Sequence, residues 1–124
     1  MFQENKTTVI GNWKMHGSVQ SNEIFLEQLL STLEDLKSAE FFCGIAMPAI
    51  YLFQFSSRLD SAPFCIGAQN VAQWEGPGAF TGEISAKMLT EFDCKFSIVG
   101  HSERRKYFGE TNEIVANKAS NLLE

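Results

Sequence analysis

The run Lys95-Phe96-Ser97-Ile98-Val99-Gly100, followed at once by the polar stretch His101-Ser102-Glu103-Arg104-Arg105, decides how this chain is read. A short, largely apolar run that stops at a glycine reads as a strand buried on both faces. Three similar runs stand upstream: Thr7-Thr8-Val9-Ile10-Gly11, Phe41-Phe42-Cys43-Gly44-Ile45-Ala46 and Phe64-Cys65-Ile66-Gly67-Ala68. Between and after them come residues at helical spacing: Leu26, Leu29, Leu30, Leu33 and Leu36, then Leu52, Phe55 and Leu59, then Ile84, Met88 and Phe92, then Ile114, Lys118 and Leu122. Ser21 or Asn22 is expected to cap the first helix and Pro48 to begin the second, with Thr81 and Thr111 near the starts of the third and fourth. Strand and helix in alternation predict an α/β chain built on a parallel sheet.

Composition narrows the function. The chain has 124 residues, about one domain's worth, and is 44% hydrophobic, which suits a globular core. Its net charge of −5 argues against a broad surface for nucleic acid or for an acidic membrane. An anionic ligand would therefore need a local device. Cys43, Cys65 and Cys94 are far apart and odd in number, which suits neither a disulfide framework nor a zinc site. Reduced thiols in a cytoplasm are expected. The segment Met1–Lys6 lacks the apolar core of an export signal, so Asn5-Lys6-Thr7 is read as a chance glycosylation sequon. The uncharged stretch 41–57 is broken by Gly44 and Pro48, and no membrane span is expected.

In a parallel sheet, the loops that leave the strands share one end, where ligands bind in both open sheets and barrels. Asn12 and Lys14 follow the first strand, Gln69 and Asn70 the third, and His101, Ser102 and Glu103 the fourth. The loop from Gln69 to Gly82 is long for a strand-to-helix connection and should have a task. Ser102-Glu103 suits the start of a short helix, whose partial positive charge would favour a neutral imidazole at His101, able to donate to a carbonyl or enediolate oxygen. The same position also suits a histidine that merely caps the sheet edge. Lys14 could stabilise developing negative charge or hold a phosphate, or be simply solvated, and Trp13 beside it would anchor its backbone. Glu103 reads as the ion-pair partner that orients such a cation. Arg104, Arg105 and Lys106 read as a solvated or interface helix face. Gly76, Gly78 and Gly82 imitate a dinucleotide fingerprint, but the spacing is too long and Pro77 intrudes. Trp74 and Phe80 either anchor a partner subunit or fold back on their own domain.

Four ordered stretches then resemble the triosephosphate isomerase family: Gly11-Asn12-Trp13-Lys14-Met15, Gly67-Ala68-Gln69-Asn70, Gly78-Ala79-Phe80-Thr81-Gly82-Glu83 and Val99-Gly100-His101-Ser102-Glu103-Arg104-Arg105. The resemblance runs through essentially the whole chain, which is read as one incomplete domain, 1–124. It implies a TIM (β/α)8 barrel of roughly 250 residues, of which this chain supplies about the first four βα units, a half-barrel. It also implies interconversion of dihydroxyacetone phosphate and glyceraldehyde 3-phosphate through an enediolate, in glycolysis and gluconeogenesis, with no cofactor or metal. His101 would be the neutral electrophile, a role already well known for this family. Lys14 would bind substrate and stabilise the enediolate, Asn12 would contact substrate, and Glu103 would orient Lys14. The family's homodimer implies that the loop from Gln69 to Gly82 enters a partner subunit. Thr81 would reach the partner's Asn12, Glu83 would pair with the partner's Arg104, and Met15 would lie beneath the partner's loop, the same interface in which Trp74 is one candidate anchor by its residue type. His16 stands where many relatives have asparagine, a tolerable change.

The family's catalytic glutamate, mobile lid and phosphate-gripping amides all belong to the later strands, and no residue up to Glu124 matches them. A general base alone is typically worth about 10²–10⁴ in rate, so the chain by itself is expected to be inactive. It is expected to be the amino-terminal half of a longer enzyme, with its interior face and two outer strands open until a carboxyl-terminal half or a second copy closes them. The alternative is a non-catalytic half-barrel that survives by self-association.

Overall fold

The computed structural model describes residues 7–35, 41–59 and 62–124. Four strands, β1 (Thr7–Asn12), β2 (Phe41–Met47), β3 (Cys65–Ala68) and β4 (Phe96–Ser97), form one sheet in the order β1-β2-β3-β4. Every neighbouring pair is parallel, with Val9 opposite Cys43, Ile45 opposite Ile66 and Gly67 opposite Phe96. Helix α1 (Val19–Asp35) joins β1 to β2, and a 3-10 turn at Ala49–Tyr51 runs into α2 (Leu52–Ser56) before β3. Then α3 (Ala86–Glu91) precedes β4, and α4 (Ser102–Phe108) and α5 (Asn112–Leu123) follow it. Strands in sequence order with helices between them make half of a parallel barrel, as the resemblance implies.

The core lies between the sheet and its helices. Leu26 of α1, Met47 of β2, Phe55 of α2 and Val71 after β3 are essentially inaccessible. Burying each such side chain contributes about 1.5–3 kcal/mol. Trp13, at the exit of β1, meets Phe25 and Phe55 edge-on, both at 5.4 Å between ring centres. The backbone that carries Lys14 is thereby tied into the core from its neighbouring position.

Several local expectations need correction. β1 is not buried on both faces: all six of its residues are exposed, Val9 by 54% and Ile10 by 40%, because its outer edge has no neighbour among the described residues. β4 is shorter than 95–100, since the chain leaves the ladder after Ser97. The first helix is capped neither by Ser21 nor by Asn22. Ser18 precedes it, and Ser18 and Ser21 exchange hydroxyl-to-amide bonds, each at 3.1 Å, while Asn22 is buried one turn in. The third helix starts after Ser85 and not near Thr81, with the Ser85 hydroxyl accepting from the Met88 amide. It buries Leu89, leaving Met88 and Phe92 exposed. Pro48 does precede the second helical segment, and Thr111 caps α5 through the Ile114 amide. Leu36 and the sequon residues Asn5 and Lys6 lie outside the described residues.

Candidate active site

Gly100, three residues past the end of β4, has a φ of 64°, a left-handed turn in which a Cβ would lie 2.8 Å from Val115. The turn delivers His101 to the N-cap of α4, where its Nδ1 accepts the Glu103 amide at 3.1 Å. An imidazole that accepts at Nδ1 carries its proton on Nε2, so the ring offers an N–H donor on its other side. The ring is three-quarters buried, with 26% of its side chain exposed.

Lys14 reaches the same place from β1, at the opposite edge of the sheet. Its ammonium donates to Glu103 Oε1 at 2.6 Å, while Glu103 Oε2 lies 3.7 Å from His101 Nδ1. One carboxylate thus links the cation after β1 to the imidazole after β4. The bond from Lys14 holds the Glu103 carboxyl below the usual carboxylate range. Both partners are about half exposed, so the pair adds little stability and serves to aim the ammonium.

Asn12, Lys14, Gln69, Asn70, His101 and Glu103 line one cleft of about 540 Å³ at the carboxyl end of the sheet. The charged and donor-bearing residues picked out from sequence therefore converge. Met15, Glu83 and Arg104 line the same cleft, with Met15 94% exposed. Thr81 is exposed on the long loop. Trp74 and Phe80 stack on each other with nearly parallel rings 4.2 Å apart and stay partly exposed, which leaves both roles set out for them open.

Arg104 departs from a solvated helix face. Its Nε donates to Glu110 Oε1 at 2.7 Å, and Glu110 is buried. Lys118, from the apolar stripe of α5, is buried too and donates both to Glu110 and, at 2.7 Å, to Asn70 Oδ1. Burial pushes the Glu110 carboxyl up, but its bonds from Lys118 and Arg104 more than offset that, leaving it below the usual range. This network fixes the loop after β3 to α4 and α5. Sequence reasoning placed Lys118 on the inner helix face without finding its partners. It also left Gln69 without a role, although that side chain donates to Lys14 O at 2.8 Å.

Among the described residues no cluster of three or more histidines, cysteines or carboxylates is placed to hold a metal ion, and no helix is long and apolar enough to cross a membrane. The cleft instead presents an ammonium, an imidazole N–H and amide groups, a set suited to an oxygen-rich anionic ligand.

Comparison with known proteins places the chain in a family. The family model described as triosephosphate isomerase matches residues 7–124. A protein of that name from Delftia acidovorans is 42% identical, over 95% of this chain and 46% of its own length. Those from Thiobacillus denitrificans and Herminiimonas arsenicoxydans are 46% and 47% identical, over 91% and 93% of this chain and 43% and 45% of theirs. The chain thus spans less than half the length of these relatives, and over that length it belongs to the triosephosphate isomerase family.

Proposed function

We propose that this chain supplies the electrophile and the cation of a triosephosphate isomerase site, one that interconverts dihydroxyacetone phosphate and glyceraldehyde 3-phosphate. The observation that carries this reading is the Glu103 carboxylate, bonded to Lys14 at 2.6 Å and 3.7 Å from His101. A carbonyl oxygen in the cleft would accept from His101 Nε2, and the charge developing on it as the enediolate forms would meet the Lys14 ammonium. Donors fixed in advance against that charge lower the barrier without reorganising. Asn12 would add an amide donor to the same substrate.

Isomerisation also needs a base to move a proton between two adjacent carbons. Glu103 suits this poorly, since its bond to Lys14 holds its carboxyl low. The base, and the grip on the phosphate, are assigned to a second half-barrel that completes the site. A cytoplasmic setting agrees with three unpaired thiols. Assembly as a homodimer agrees with Met15, Trp74, Thr81, Glu83 and Arg104 all lying on or beside the cleft and its long loop, with Met15 almost wholly exposed. The exposed six-residue β1 favours a second reading, a self-associating module without catalysis.

The test joins residues 1–124 to the carboxyl-terminal half of the Herminiimonas arsenicoxydans relative and follows glyceraldehyde 3-phosphate isomerisation. The joined protein should turn over, the 124-residue chain alone should not, and His101→Gln should cut the joined rate by about 10²–10³. Undiminished turnover by His101→Gln would overturn the assignment. An inactive joined protein, with the chain alone forming a stable oligomer, would favour the module.

A further inference from the structure

One side-chain amide sits where three strands meet the cleft. Gln69 follows β3, and its Nε2 faces three oxygens: the Lys14 carbonyl at 2.8 Å, Asn12 Oδ1 at 3.2 Å and the Ala46 carbonyl at 3.3 Å. The Ala46 carbonyl also takes the Trp13 amide at 2.9 Å, so the ends of β1, β2 and β3 are bound into one knot. We infer that Gln69 is a positioning residue for the site, holding the Lys14 backbone and setting which face of the Asn12 amide looks into the cleft.

Two features at Lys14 and Asn12 require such a support. Lys14 adopts a φ of 53°, a left-handed conformation that is unfavourable for a residue with a Cβ and persists only where its surroundings hold it. Its amide is held by Asn12 Oδ1 at 2.9 Å and its carbonyl by Gln69, so the unfavourable residue is pinned on both sides. Asn12 Oδ1 thereby receives two donors, the Lys14 N–H and the Gln69 amide. Two donors aimed at one atom identify it as the oxygen and leave the Asn12 NH₂ as the group available to a ligand. Without Gln69, only the Lys14 N–H holds the Asn12 oxygen, so turning that oxygen to the cleft, where it would present an acceptor to a ligand made of acceptors, costs one bond in place of two. Gln69 thus keeps a donor at Asn12 beside the Lys14 ammonium, matched to an anionic, oxygen-bearing substrate. This inference rests on the proposed function for its kinetic consequence alone.

Two readouts test it. The first needs no activity: amide hydrogen exchange of the 124-residue chain and of the joined protein. Gln69→Met, which keeps the length and loses the donor, should speed exchange at Trp13 and Lys14 by about tenfold or more, with Ile45 and Ile66 unchanged. Unchanged exchange at Lys14, or equal acceleration across the whole sheet, would overturn the positioning role. The second is kinetic, in the joined protein. Gln69→Met should lower kcat and raise KM together by about tenfold in kcat/KM, with the unfolding midpoint little changed. Gln69→Glu faces the same three oxygens with a carboxylate, so its deficit relative to the parent should shrink as pH falls and the protonated acid regains an O–H donor. A deficit independent of pH would mean that Gln69 only fills space. If the joined protein is inactive, the functional reading fails while amide exchange still decides the role of Gln69.

Discussion

Lys14 and Glu103 stand 89 positions apart in sequence and 2.6 Å apart in space, joining the two edge strands of the sheet across the mouth of the cleft. Because both side chains are about half solvated, losing the pair should cost little stability. Its value is orientation. Glu103→Gln should therefore leave the urea midpoint nearly unchanged and reduce kcat/KM of the joined protein several-fold, as the ammonium samples other rotamers. The carboxyl is depressed below its ordinary 4.5, so the charge pair is complete above that value and is lost only as pH falls through the lower, folded one. An unaltered rate in Glu103→Gln would show that Lys14 needs no such guide.

Stability should depend far more on the pair inside. Glu110 and Lys118 are both nearly inaccessible, and Glu110 takes Arg104 and Lys118 on one oxygen. Removing Lys118 leaves the buried Glu110 carboxylate to Arg104 alone, so Lys118→Met should destabilise by up to about 3–5 kcal/mol. Adding Glu110→Gln to Lys118→Met should restore part of the loss. Glu110 is depressed on folding, so its contribution is present above the ordinary carboxylate range and disappears as pH falls through its lower folded value. Urea unfolding of the single and double variants at pH 7 and pH 4 measures both effects. Additive losses would show that the two groups do not act as a pair.

These two networks also mark where sequence reading stops. The parallel sheet was legible because a buried strand must be apolar wherever it is placed, and His101 was legible because Gly100 and Ser102 bracket it at a strand-to-helix turn. Lys118 was legible as an inner position of α5, at helical spacing from Ile114 and Leu122. Its partners were not, because Asn70 lies 48 positions away and is brought in only by the sheet. Gln69 was hidden for the same reason: its three acceptors belong to β1, β2 and the turn between β1 and α1. The misplaced caps have a different origin. Serines at 18, 21 and 85 all suit an N-cap, so residue type alone does not say which turn begins the helix. The exposure of β1 could not follow from its own residues, since a Val-Ile run reads alike whether or not a neighbouring strand lies beside it.

The cysteines should be slow to react while the chain is folded. Burial raises the thiols of Cys43 and Cys65, and it pushes Cys94 up to about 11, with the Asp93 carboxylate adding to the shift. Since the thiolate is the nucleophile, Cys94 should hold the least of it near neutral pH. Iodoacetamide labelling followed by peptide mass spectrometry should find Cys94 the slowest of the three in buffer and all three alike in urea. Rapid labelling of Cys94 in the folded chain would contradict this burial.

Phe96 and Gly67 make the tightest requirement in the sheet. They face each other across β3 and β4, and the Phe96 ring lies over Gly67 so closely that a Cβ there would fall 2.4–2.6 Å from three ring carbons. The same ring passes 2.9 Å from where a Cβ of Gly44 would stand, and it meets Phe42 edge-on at 6.4 Å. It is therefore boxed by two strands and a second aromatic residue, with little freedom to retreat. Gly67→Ala should force the ring from its rotamer and destabilise by about 1–3 kcal/mol. Phe96→Leu removes the colliding edge, so Gly67→Ala should cost markedly less in that background, and the difference between the two costs measures the contact. Equal costs in the two backgrounds, by urea unfolding, would mean that the glycine answers to its backbone and not to the ring above it.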